Sequence, residues 1–152
     1  WAGIQNKNGW NLQIVGDGED KEKLEHLVNE LNVQDSVKLL PARKDIKTVY
    51  RQTSVFAFTS KTEGFGMVLL EAMSFGIPCI SFDCPSGPRD VVKDGYNGYL
   101  ISNDDVDKFS RKLESLINMP IDELNVLGHH AYETVRSWDN NKILVSWNAI
   151  FK

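Results

Sequence analysis

Apolar positions along the chain switch between two periods. LQIV (12–15) is a short apolar run ahead of GDGED and reads as a strand. KEKLEHLVNEL (21–31) places Leu24, Leu27, Val28 and Leu31 at helical spacing, which predicts one apolar face. VKLL (37–40) reads as the next strand and stops at Pro41, and DIKTVYRQ (45–52) as a short helix. VFAFTS (55–60) is continuously apolar, the pattern of a strand covered on both faces. FGMVLLEAMSFG (65–76) predicts a helix closed by Gly76. CISF (79–82) and GYLIS (98–102) are two further strands. DDVDKFSRKLESLIN (104–118) opens with acids at the positive end of its helix dipole and is amphipathic. After Pro120, IDELNVLGHHAYETV (121–135) is helical, and WDNNKILVSWNAIF (138–151) is a last helical region.

Strands that alternate with helices imply βαβ crossovers. The expected fold is α/β: a single Rossmann-like domain over 1–152, its mostly parallel sheet carrying helices on both faces. In such sheets ligands bind at the carboxyl ends of the strands. The loops GDGED, PAR, KTEGFG and CPSGPRD each leave such an end.

Composition narrows the function. A hydrophobic share of 41% and a charged share of 25% over 152 residues are ordinary for one globular domain. With a net charge of −4 and no basic stripe, nucleic acid is not an expected partner. No apolar run reaches the roughly 20 residues of a membrane span, and no signal peptide is visible, so a cytoplasmic protein is expected. The opening WAGIQNKNGW, without Met, reads as the middle of a longer chain. Cys79 and Cys84 match no zinc spacing. Cys79 is expected to be a buried thiol, and no disulfide is expected. His26, His129 and His130 have no partner at metal or triad spacing and read as structural or solvated.

EGFGMVLLEA (63–72) is the stretch richest in chemistry. Gly64 and Gly66 fall at a helix N-terminus, where free backbone N–H groups attract anions and glycine lets a phosphate come close. Glu63 stands at the mouth of that turn. Glu71 lies about 12 Å further along if the span is helical, near the reach from a sugar across a diphosphate to a ribose. Carboxylates suit hydroxyl-rich ligands because they accept two hydrogen bonds at once. An acid near a helix start is also favoured by the dipole alone, and a mid-helix Glu is usually solvated. Leu69, Leu70, Ala72 and Met73 around Glu71 weigh against that plainer reading.

TSKTEGFGMVLLEAMSFGIPCI resembles the E-x7-E segment of retaining nucleotide-sugar glycosyltransferases of family 4, which have the GT-B fold. LQIVGDGEDKEKLEHL, VKLLPA and DVVKDGYNGYLIS resemble other segments of that family in order and spacing. The resemblance implies a C-terminal, donor-binding half of a GT-B enzyme. It implies that Glu71 binds ribose hydroxyls and that Glu63 contacts the donor sugar and orients the reacting end. Backbone N–H groups of Phe65, Gly66, Met67 and Val68 would reach sugar and phosphate oxygens. Pro41 and Ala42, with Gly16 and Gly18, would meet the base edge, although proline donates no hydrogen bond there. CPSGPRD would face the donor sugar, with Asp90 where the family usually carries Glu. Its form resembles bacterial members that build surface polysaccharides from UDP-hexose or UDP-N-acetylhexosamine donors.

The implied reaction is transfer of a hexosyl or N-acetylhexosaminyl group from a UDP-sugar to an acceptor hydroxyl, with retention and without a metal or other cofactor. The family's Arg…Lys pair, its first strand at the centre of the sheet and its acceptor domain are not found in this sequence. This piece alone is therefore expected to be inactive. The strands LQIV and VFAFTS would have to pair directly, recruit another chain or leave open edges, so self-association or reduced stability is expected. A sugar or lipid-linked acceptor would be held by the other domain, with the parent enzyme at the inner membrane face. Two rivals are a non-catalytic nucleotide-sugar-binding module and an NAD-dependent oxidoreductase. The second requires a full glycine fingerprint, whose third glycine is Lys21 here.

Overall fold

The computed structural model describes residues 1–138. Of the last helical region only Trp138 falls among the described residues; Trp147 and Phe151 lie outside them. The elements are β1 (Leu12–Val15), α1 (Lys21–Glu30), β2 (Val37–Leu40), α2 (Lys47–Tyr50), β3 (Phe56–Phe58) and α3 (Met67–Ser74), followed by β4 (Cys79–Asp83), α4 (Pro88–Val91), β5 (Gly98–Ser102), α5 (Val106–Ile117) and α6 (Ile121–Ser137).

Every described strand pair is parallel, as βαβ crossovers require. β4 is central in its sheet, with β3 on one side and β5 on the other. Cys79 lies opposite both Phe56 and Gly98. Two apolar clusters cover the two faces, and the period-2 pleat assigns β4 residues between them. Ile80 and Phe82 join Ile101, Phe109, Leu113, Leu116 and Leu124, so α5 and the start of α6 close one face. Cys79 joins Tyr50, Phe58, Leu69, Ala72, Met73 and Ala131 on the other, beneath α3 and the middle of α6. α5 buries Phe109, Leu113, Leu116 and Ile117 at helical spacing. Its N-cap Asp105 accepts from the Lys108 amide at 2.9 Å.

Two expectations need correction. The alternation predicts one sheet, but the described strands form a pair, β1–β2, and a triple, β3–β4–β5. Among the described residues β1 and β3 do not pair with each other, and each keeps an edge unpaired within the chain. Local pattern dictates that a strand forms, whereas its neighbour is settled by long-range pairing. The second correction concerns α1, whose apolar stripe does not enter a core. No residue of α1 is buried, and Leu27 and Leu31 are 45% and 46% exposed. A two-stranded sheet offers too little surface to cover a whole helical stripe. Helix bounds otherwise differ by a few residues from the sequence reading, mostly at frayed ends.

α6 meets the turn just past α3 with almost nothing between the two backbones. A Cβ built on Gly128 would lie 2.3 Å from the Gly76 carbonyl oxygen, so only glycine permits that approach. Further along α6, Thr134 accepts from the side chain of buried Asn97 at 2.9 Å. The same amide donates to the Val91 carbonyl and accepts from the Lys93 N–H, which leaves none of its polar atoms unpaired.

Candidate functional site

The carboxyl ends of β1 to β4 carry the loops singled out by sequence. After β3, Ser60 Oγ donates to Glu63 Oε1 at 2.6 Å, which fixes the half-buried carboxylate at the strand end. Gly66 then caps α3 with φ 79°, a left-handed turn that starts the helix abruptly. Among the described residues, the N–H groups of Phe65, Gly66, Met67 and Val68 donate to no backbone carbonyl outside a helix or strand. The first N–H groups of a helix also have no partner within it. Those of Met67 and Val68 are thus orphan donors, with Met67 59% exposed. The positive end of the α3 dipole adds to their pull on an anion.

The loop is anchored by its aromatic side chain. Phe65 packs on the cluster beneath α3 and meets Trp138 edge to face, ring centroids 5.3 Å apart. From β4, the loop 84–88 is pressed against it. Gly87 adopts φ 104°, and a Cβ there would lie 2.0 Å from the Phe65 carbonyl oxygen. Cys84 is fully buried in the same loop, and its thiol is pushed up, first by burial and then by the Glu63 charge nearby. The structure therefore joins the Glu63 turn and the CPSGP loop into one unit. Asp90 is exposed on α4, and the carboxylate engaged there is Asp83, gripped by Arg89 through two hydrogen bonds of 3.0 and 2.9 Å.

Glu71 sits on the side of α3 opposite Leu69, Ala72 and Met73, and it is exposed. The apolar sequence around it is the buried face of the same helix. Its Oε2 accepts from the Tyr50 hydroxyl at 3.2 Å. Tyr50 is held from behind by a stacked Phe75, centroids 5.4 Å apart, and an edge-on Phe56 at 6.2 Å. Burial first, then the Glu71 charge, pushes the Tyr50 phenol up to about 12, so it stays a hydrogen-bond donor at neutral pH.

At the ends of β1 and β2 a cavity of about 280 Å³ is lined by Gly16, Gly18, Lys21, Leu24, Leu39 and Leu40 among others. Asp17 closes its rim by accepting from the Ala42 N–H at 2.9 Å. Pro41 and Ala42 are exposed beside it. With Ala42's N–H taken and Pro41 lacking one, the main chain at 41–42 offers carbonyl acceptors to a base edge. Neither Glu63 nor Glu71 lines that cavity.

Sequence reasoning did not find Tyr50 as the partner of Glu71, the Asp17 clamp, or the contact of Gly87 with Phe65. Each is a contact between segments distant in sequence. The glycine after Ser86 carried a turn signal without naming its neighbour. The histidines are as read: His26 is exposed near Glu30, and His130 stacks on Tyr96 at 4.0 Å. Cys79 is fully buried, which raises its thiol far above the usual range. Among the described residues no helix is long and apolar enough to cross a membrane.

Parallel strands, helices on both faces and loops gathered at strand carboxyl ends define a Rossmann-like α/β domain of the ligand-binding kind. Residues 2–134 match the sequence profile of the glycosyl transferases group 1 family. Over 150 residues the chain is 34% identical to the amylovoran biosynthesis glycosyltransferase AmsD of Erwinia amylovora, covering 99% of this chain and 42% of that protein. Over 113 residues it is 42% identical to the lipopolysaccharide 1,6-galactosyltransferase of Salmonella typhimurium, covering 72% of this chain and 32% of that one. The crystal structure of HepE from Anabaena, in complex with UDP, superposes with a TM-score of 0.80 at 25% identity, over 97% of this chain and 43% of that one. The chain thus spans less than half the length of these relatives. It belongs to the glycosyl transferases group 1 family.

Proposed function

We propose that this chain is the donor-binding part of a glycosyltransferase that transfers a hexosyl or N-acetylhexosaminyl group from a UDP-sugar to an acceptor hydroxyl, with retention. The observation that carries this reading is the α3 start: orphan N–H donors at Met67 and Val68, with Glu63 before them and Glu71 on the exposed side of the same helix. The N–H groups of residues 65–68 receive diphosphate and sugar oxygens. Glu71 accepts from the ribose diol. Glu63, steadied by Ser60, accepts from sugar hydroxyls and orients the reacting end. The base lies toward Gly16, Gly18, Pro41 and Ala42 and meets carbonyl acceptors there. Stabilising the charge that develops on the departing diphosphate is the main catalytic term, and preorganised amide dipoles supply part of it without a metal.

The acceptor, a sugar or lipid-linked sugar of a bacterial surface polysaccharide, is bound by another part of the full-length protein. That assignment draws on the relatives, which are polysaccharide and lipopolysaccharide transferases. Saturation-transfer NMR tests the donor site directly. UDP-glucose, UDP-N-acetylgalactosamine, GDP-mannose and NAD are offered to the chain and to Glu71→Ala. Transfer to ribose and sugar protons of a UDP-sugar, lost in the variant, is the expected result. Transfer from NAD alone, or UDP-sugar binding untouched by the substitution, overturns the reading. Donor binding by the full-length protein without sugar transfer to any acceptor would leave a binding module in place of an enzyme.

A further inference from the structure

We propose that Tyr50 is a positioning residue for Glu71, and that the pair sets the preference of the site for a ribonucleotide over a deoxyribonucleotide donor. The proposal rests on the reading of Glu71 as the acceptor of the ribose diol. An exposed glutamate has three free torsions, and a ligand that needs one arrangement of its carboxylate must otherwise freeze them on binding. Tyr50 restrains one oxygen in advance. Its hydroxyl donates to Glu71 Oε2 at 3.2 Å. Its ring is only 7% exposed and cannot swing away, because Phe75 stacks on one side and Phe56 abuts its edge. Phe75 directly follows α3, so the ring is anchored to the same segment that carries Glu71.

The choice of donor matters as well as its position. Among the described residues no Lys or Arg pairs with Glu71. A cation would neutralise the carboxylate and fill both oxygens, as a bidentate arginine does. A phenol has one proton to give and no charge, so it leaves Oε1 open and the full negative charge available. That residual capacity matches a vicinal diol, which presents two donors side by side. A nucleotide lacking those hydroxyls gains nothing from the fixed carboxylate.

The test measures binding of UDP and of 2′,3′-dideoxy-UDP to the full-length protein by calorimetry, for the parent, Tyr50→Phe, Glu71→Gln and the double variant. Phenylalanine keeps the ring between Phe56 and Phe75, and thermal unfolding checks that the variants fold. Tyr50→Phe is expected to weaken UDP about tenfold, the factor one hydrogen bond to a charged group commonly carries. It should leave dideoxy-UDP unchanged and cause no further loss in the Glu71→Gln background. Phe75→Leu, which loosens the ring, should show a smaller loss of the same selectivity. Equal weakening of both nucleotides means a merely structural role, and that result overturns the proposal, as does a Tyr50→Phe variant that binds UDP normally while Glu71→Gln does not. If the parent fails to bind UDP, or Glu71→Gln leaves its affinity intact, the ribose reading itself falls.

Discussion

Replacing Gly87 with alanine should damage the site out of proportion to the single methyl group added. The new carbon would lie 2.0 Å from the Phe65 carbonyl oxygen and 2.4 Å from its carbonyl carbon. Non-bonded carbon contacts settle near 3.5 Å, so the two loops must part by roughly 1.5 Å. Overpacking of this kind costs about 1–3 kcal/mol. The φ of 104° adds the left-handed penalty of about 1–2 kcal/mol for a residue with a Cβ. A total near 3 kcal/mol lowers the melting temperature by about 6–12 °C for a domain of this size. Gly95 is the control, with φ 73° and open space around its missing Cβ. Gly95→Ala carries only the backbone penalty, about 1–2 kcal/mol, and should melt only a few degrees below the parent. Differential scanning calorimetry separates the two, and UDP titration reads the displacement of the 65–68 amides. If both variants melt together, or Gly87→Ala binds UDP as the parent does, the contact with Phe65 does not hold the turn.

Three further outcomes are expected. Asp17→Ala removes the acceptor of the Ala42 N–H, and because both are exposed, stability should fall by no more than about 1 kcal/mol; UDP affinity, read by calorimetry, should drop several-fold as the 41–42 loop loosens, and unchanged affinity removes that loop from the base site. Raising the pH should destabilise the parent relative to Tyr50→Phe: the phenol sits at about 12 in the fold against about 10 when unfolded, so its neutral form contributes fully below pH 10 and that contribution fades as pH climbs toward 12. Urea titrations at pH 9 and pH 11.5 check this, with the Cys79 thiol moving the same way in both proteins. Finally, the open edges of β1 and β3 should make the isolated 152-residue chain self-associate, which sedimentation velocity reads; a sharp monomer across the micromolar range contradicts it.

The strands were legible in the sequence because each is a short, mostly apolar run flanked by polar or turn-forming residues. LQIV, VKLL and GYLIS are strands over the residues expected. Their grouping into two sheets was not legible, since nothing in LQIV names the strand beside it. The apolar stripe of α1 was visible, but its burial depended on what the two-stranded sheet could cover. Glu63 and Glu71 stood out through their spacing around two glycines. The carboxylate partners did not, because Tyr50 reaches Glu71 across 21 positions and shows in the sequence only as an aromatic in a short helix. Cys84 read as a loop residue and proved fully buried, because the loop folds back on Phe65.

The bare contact between α6 and the turn just past α3 has a mechanical consequence. Where the Gly128 and Gly76 backbones meet, just past the end of α3, there is no side chain to absorb a shift. At its far end α6 delivers Trp138 to the ring of Phe65, in the turn that begins α3. Phe65, α3, the glycine crossing, α6 and Trp138 thus form a closed truss, propped at both ends and rigid between them. A ligand that tugs on the α3 amides loads every strut at once. Such a site holds its shape before anything arrives.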